Sequence, residues 1–93
     1  MRWTLRYTAN AARAIRKLDP QVRKRVRKAT ETLADDPLRG KPLQLDLKGL
    51  RSWRTGDFRI VYRVIEDRVE ILVLTVGHRR DIYDRLRRRL RDG

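Results

Sequence analysis

The sequence contains no cysteine, one histidine, one phenylalanine and only 12 acidic residues among 93. Without cysteine there is neither a disulfide nor a thiolate zinc site, so nothing of that kind supplements the hydrophobic core. No apolar run approaches the roughly 20 residues of a membrane span, and the N-terminus has no apolar stretch of the secretory type. A cytoplasmic location is the expectation. At this length one domain is expected (residues 1–93), burying about two-thirds of the surface its unfolded form exposes.

Cations are plentiful where acids are scarce. Lysine and arginine total 25, for a formal net charge of +13. Five of them are lysine (17, 24, 28, 41 and 48) and the rest arginine. Arginine is the more weakly hydrated cation, and its planar fork matches phosphate oxygens two at a time. Such a charge exceeds what solubility requires of so small a body. The expected partner is a polyanion, either nucleic acid or an acidic protein.

The apolar pattern sets the elements. Trp3, Leu5 and Tyr7 alternate with Arg2, Thr4 and Arg6, the period of a half-buried strand. Thr8 or Asn10 can cap a short helix carrying Ala12, Ile15 and Leu18. Asp19-Pro20 opens a second helix, whose stripe is Val22, Val26, Ala29 and Leu33 and whose stop is Asp36-Pro37. Residues 37–50 read as a loop or at most a short strand. Extended chain resumes at Leu50–Arg54, turns at Gly56-Asp57, and runs through Phe58, Ile60, Tyr62 and Val64 alternating with Arg59, Val61, Arg63 and Ile65. After a turn at Glu66-Asp67-Arg68, Val69–Val76 is apolar on both faces, as a strand covered on both sides must be. Ile82, Leu86 and Leu90 then form the stripe of a short terminal helix. The expected class is α+β: a two-layer domain in β-α-α-β-β-β-α order, its mostly antiparallel sheet carrying two helices on one face and a short C-terminal helix.

Two stretches carry the chemistry, Arg54-Thr-Gly-Asp-Phe-Arg-Ile-Val-Tyr62 and Val76-Gly-His-Arg-Arg-Asp-Ile-Tyr83. Each sets cations or titratable groups beside strand-forming residues and a glycine. With these, and with Tyr7, Lys17-Leu18-Asp19, Asp36-Pro37 and Lys48-Gly49-Leu50, the chain resembles the RelE/ParE superfamily of type II toxin–antitoxin toxins, the RelE branch more than the ParE branch. The resemblance implies a RelE-like fold and a metal-independent endoribonuclease with no cofactor. It implies mRNA cut in the ribosomal A site, contact with ribosomal RNA, and silencing by a small, acidic, partly disordered RelB-like antitoxin. A ParE-like protein that inhibits DNA gyrase without chemistry of its own is the alternative. The joint presence of Arg59, Arg79 and Tyr83 speaks for the enzyme.

RNA cleavage without a metal uses the neighbouring 2′-OH as nucleophile. It needs a base, cations for the charge on phosphorus oxygens, and an acid for the leaving 5′ oxygen. The paired carboxylates Asp35-Asp36 and Glu66-Asp67 lie in turns where neighbours seldom converge on one ion, which argues against a two-metal reaction. Arg59 falls on the sheet face opposite Phe58 and Ile60, and the resemblance makes it the cation that steadies the pentavalent phosphorus; a cross-strand ion pair with Glu70 is the structural alternative. Arg79 is a second phosphate clamp, or pairs with Asp81 or Asp84. Tyr83 matches a family tyrosine that carries a proton or stacks beside the scissile phosphate, or else packs the terminal helix. His78, the sole histidine, is the side chain naturally titrating near neutrality and a candidate acid or base.

The chain departs from the RelE pattern upstream, where relatives carry a basic pair, usually lysines. Here the strand reads Leu50-Arg51-Ser52-Trp53-Arg54. A guanidinium stays protonated, so Arg51 is no base. Lys48, Arg51 and Arg54 are then expected to contact the RNA backbone, with Arg54 also able to serve at the phosphate and proton transfer passing to His78. Arg85, Arg87 and Arg88 on the terminal helix are expected to attract RNA without regard to sequence. Trp3 and Trp53 are expected in the core or an interface.

Overall fold

A computed structural model describes residues 2–78 and 81–92. The alternating N-terminus forms β1 (Thr4–Tyr7), followed by helices α1 (Ala9–Arg16) and α2 (Pro20–Asp35). The proline-containing loop holds a two-residue strand, β2 (Lys41–Pro42), and a 3-10 turn at Leu45–Leu47. Then come β3 (Arg51–Thr55), β4 (Phe58–Ile65), a 3-10 turn at Glu66–Arg68, β5 (Glu70–His78) and helix α3 (Ile82–Asp92). The five strands form one sheet in the order β1-β5-β4-β3-β2, antiparallel except where β1 runs parallel to β5. Class and element order match the expectation.

Local chemistry explains the boundaries. Thr8 caps α1 by accepting the Ala11 N–H at 3.0 Å, and its own hydroxyl donates to the Leu74 carbonyl at 2.7 Å. Asn10 is not the cap; its amide donates to Thr75 instead. Pro20 occupies the first turn of α2, but Asp19 makes no side-chain capping bond. Arg23 closes the corner between the helices by donating to the carbonyls of Arg16 and Leu18. At the β3–β4 hairpin, Thr55 pairs with Phe58 and Gly56 adopts φ +60°. The positive φ falls on the first turn residue, as in type II′ hairpins, which is why glycine precedes aspartate.

Two apolar clusters occupy the two faces of the sheet. On one, Val26, Ala29 and Leu33 of α2 and Ala11 of α1 meet Ile60, Tyr62, Ile71 and Val73, with Trp3 and Trp53 packed against them. On the other, Ile82 and Leu86 of α3 meet Leu47 and Val61. The terminal helix therefore covers the face that α1 and α2 leave open. Its stripe ends earlier than the spacing predicts, for Leu90 is 54% exposed.

One irregularity sets the alignment near the end of β5. Val61 pairs with Thr75 and Tyr62 with Val73, leaving Leu74 as an unopposed bulge residue. A one-residue offset exchanges which side chains share a face. Because of it, Gly77 rather than Val76 stands opposite Arg59. A Cβ at Gly77 would lie 2.9 Å from Arg85 Nη2 and 3.6 Å from Ile82, so the first turn of α3 rests directly on this glycine.

The loop after α2 hangs on one phenol. Tyr62, fully buried, donates to the Pro37 carbonyl at 2.6 Å and accepts the Gly40 N–H at 3.0 Å. A Cβ at Gly40 would stand 2.5 Å from that oxygen, so only glycine lets the loop approach. Burial raises the Tyr62 pKa above the ordinary phenol value, against the opposing pull of the Gly40 N–H and the Arg51 charge. The unfolded phenol ionises first, so the contribution of Tyr62 is whole below pH ~10 and is lost as pH rises through its raised folded pKa. Tyr62→Phe should cost about 1–3 kcal/mol in urea denaturation near neutrality, for it strands two buried backbone groups. The variant should also lose stability less steeply than wild type above pH ~10. Parallel alkaline slopes would contradict this role for the phenol.

Candidate functional site

The face under α3 gathers the reactive side chains. Register pairing aligns Arg54, Arg59 and Gly77 in a row across β3, β4 and β5. Ser52 lies on the same face beside Val61, one pleat further along β3. From above, α3 brings Tyr83 down so that its hydroxyl is 2.9 Å from Ser52 Oγ. The Arg59 guanidinium carbon sits 5.8 Å from the centre of the Tyr83 ring. Arg85, two residues further along α3, reaches over Gly77.

The electrostatics of this row are one-sided. Arg59 Nε is buried and has no hydrogen-bond partner among the described residues. The ion pairs among those residues run elsewhere: Arg2–Asp35, Arg6–Glu70, and Arg87 with Asp46 and Asp84. Glu70 is therefore not the partner of Arg59; it faces Ile65 and Thr4 in the register and pairs with Arg6. Arg54 donates to the Gly56 carbonyl at 3.1 Å, which holds its fork at the hairpin end of the row. A cation over an aromatic face gains about 0.5–1 kcal/mol at an exposed site, too little to replace a counter-ion. Chemically, the row can receive an anion between Arg54, Arg59 and Arg85, with a phenol beside it. Among the described residues, no three of His, Cys, Asp and Glu are grouped to hold a metal ion.

Other expected site residues are placed apart from this row. Arg51 shares the opposite face with Tyr62, and its guanidinium donates to the carbonyls of Gly40 and Leu38 at 3.1 and 3.2 Å. It clamps the loop. His78 pairs with Phe58 across the sheet, and the two rings meet edge to face at 5.9 Å, one residue out of phase with Arg59 and Gly77. Lys48 is exposed just after the 3-10 turn that packs under α3. Arg79 lies outside the described residues. Tyr83 packs α3 to the sheet, the structural alternative expected of it, and its hydroxyl meets Ser52 Oγ. Ser52 was not singled out in the sequence; its alternation with Trp53 placed it on the Arg59 face, but nothing local marks a serine as a tyrosine's partner.

Residues 1–83 match the family described as the ParE toxin of type II toxin–antitoxin systems, parDE. The chain belongs to that family. It is a RelE/ParE-superfamily toxin, and its relatives place it nearer the RelE branch. The toxin is 40% identical to Toxin RelG of Mycobacterium tuberculosis over 87 residues, covering 91% of this chain and 100% of RelG. It is 35% identical to Toxin RelE of the same organism over 78 residues, or 82% of this chain and 80% of that one. A chain of the crystal structure of the Mycobacterium tuberculosis toxin–antitoxin complex RelBE2 superposes with a TM-score of 0.80 at 37% identity, covering 85% of this toxin and 100% of that chain.

The helix arginines of the toxin are not equivalent. Arg87 Nε stands 3.0 Å from Asp46, and Nη1 3.5 Å from Asp84, whereas Arg88 is exposed and joins none of these pairs. Arg88→Ala should therefore lower affinity for single-stranded RNA and flatten its salt dependence by about 0.7 in log–log slope, one phosphate contact, while Arg87→Ala changes the slope less. Titration against oligonucleotide at several salt concentrations measures both. Equal slopes for the two variants would show that the Asp46 pairing leaves Arg87 free to bind.

Proposed function

We propose that this toxin is a ribosome-dependent, metal-independent mRNA endoribonuclease that inhibits translation in the cytoplasm, and that a RelB-like antitoxin silences it. The observation that carries this reading is the half-buried Arg59 guanidinium, held against Tyr83 beside α3 and joined to no carboxylate among the described residues. A cation placed so is available to a phosphate. Relatives named RelG and RelE, and a relative seen in a toxin–antitoxin complex, support the same class.

In this mechanism the 2′-OH gives its proton to solvent as its oxygen attacks the adjacent phosphorus, the P–O5′ bond breaks, and the products are a 2′,3′-cyclic phosphate and a 5′-hydroxyl. Arg59 stabilises the charge that collects on the phosphorus oxygens, and Arg79 clamps the same phosphate. Tyr83, the titratable hydroxyl nearest Arg59, delivers its proton to the departing 5′ oxygen. His78, set against Phe58 on the sheet face opposite Arg59, takes no part in this step. Arg54, Arg85, Arg88 and Lys48 guide the RNA backbone, with Arg87 contributing once freed from Asp46. Arg51 is left to the loop it clamps. The antitoxin needs acidic character to neutralise this face, and a segment that folds on binding can cover it.

The match to the ParE description over residues 1–83 favours one other reading, a gyrase inhibitor that acts by binding. Arg59→Ala separates the two. On programmed ribosomes it should slow single-turnover cleavage by about 10²–10³, with ribosome affinity nearly unchanged, because the lost donor acts on the transition state. An Arg59→Ala chain that remains fully toxic in cells would remove the cleavage reading in favour of gyrase.

A further inference from the structure

We propose that Ser52 is a positioning residue for Tyr83, holding the phenol oxygen beside Arg59 and stabilising it when its proton leaves; this rests on the endoribonuclease reading above. Ser52 sits mid-strand on β3, its backbone paired with Lys41 on one side and Val61 on the other. Its position is fixed by two ladders, and it is 6% exposed. The single side-chain hydrogen bond it makes among the described residues is the 2.9 Å contact with Tyr83 Oη, in which either oxygen can donate.

That ambiguity is the functional point. A hydroxyl offers one proton and two lone pairs, and so does a phenol. While Tyr83 donates to Ser52, its proton is directed into the protein. Once Ser52 donates instead, the Tyr83 proton is free for an oxygen arriving near Arg59. As the P–O5′ bond breaks, the electron pair stays on the 5′ oxygen, which takes the phenol proton. The Ser52 proton remains on Ser52, and its hydrogen bond now reaches a phenolate, a stronger acceptor than a phenol. A buried hydroxyl with no other side-chain partner is suited to this exchange because water does not compete for it. In a strand otherwise rich in cations, Ser52 supplies what Arg51 and Arg54 lack, an acceptor as well as a donor.

Ser52→Thr and Ser52→Val test the proposal, since they share a shape and differ in the hydroxyl. In single-turnover cleavage on programmed ribosomes, the threonine chain should be about tenfold faster than the valine chain, the scale of one hydrogen bond. Ribosome affinity should be equal, and the difference should vanish in a Tyr83→Phe background. Ser52→Ala against wild type gives the same comparison without added bulk. Equal rates for threonine and valine, at whatever level, would overturn the proposal while a cleaving wild type preserves the endoribonuclease reading. A difference that persists unchanged without the Tyr83 hydroxyl would overturn it as well. A wild-type chain that fails to cleave would remove both.

Discussion

A sheet that includes β5, a strand apolar on both faces, has to be covered twice. Two helices cover the first face, burying Val26 and Leu33 against Ile60, Tyr62, Ile71 and Val73. For the second face the chain has a short helix and a loop turn, which meet at Leu47, Val61, Ile82 and Leu86. That cover stops short of the hairpin end of β3 and β4. The uncovered remainder is where Arg54 and Arg59 stand, with Ser52 and Tyr83 at its margin. The site is thus the part of the second face that the fold leaves unburied, and its position follows from how much apolar surface α3 can supply.

The same shortage explains the charge. A row of arginines joined to no carboxylate among the described residues is unfavourable to the free toxin, since like charges repel and a buried Nε forgoes a hydrogen bond. Each is tolerated because the frame is fixed by contacts that do not involve the site. Tyr62 ties the loop, Thr8 ties α1 to the β5 bulge, and Arg51 holds the carbonyls of Leu38 and Gly40. On the proposed reading, an RNA phosphate or an acidic antitoxin segment would relieve the same repulsion. Substrate and inhibitor would then compete through one electrostatic feature, and high salt would weaken both.

Much of this was legible in the residues. The two-residue period of β1, the stripe of α2 and the hairpin at Gly56 are local patterns, and each formed where its pattern lay. Alternation from Phe58 placed Arg59 on the far face correctly, because β4 itself is regular. What the sequence concealed was relational. The bulge at Leu74 leaves no trace in a strand that is apolar throughout, yet it puts Gly77 opposite Arg59 and leaves His78 against Phe58. The parallel pairing of β1 with β5 depends on where the chain returns, which no periodicity records. Ser52 and Arg51 are adjacent and point to opposite faces, so an extended stretch of cations read as one surface divides into a clamp and a site. Leu90 kept the helical spacing but is 54% exposed, outside the cluster that Ile82 and Leu86 join.

The central claim is that this cationic face serves a transition state formed by the RNA's own 2′ oxygen. The most direct test is a message carrying a single 2′-deoxy nucleotide on the 5′ side of the cut site, bound to ribosomes and exposed to the wild-type toxin. Cleavage at that position should be abolished while ribosome binding is unchanged, and the unmodified message should yield a 5′ fragment ending in a cyclic or 3′ phosphate. Cleavage of the deoxy message at an undiminished rate would contradict the account.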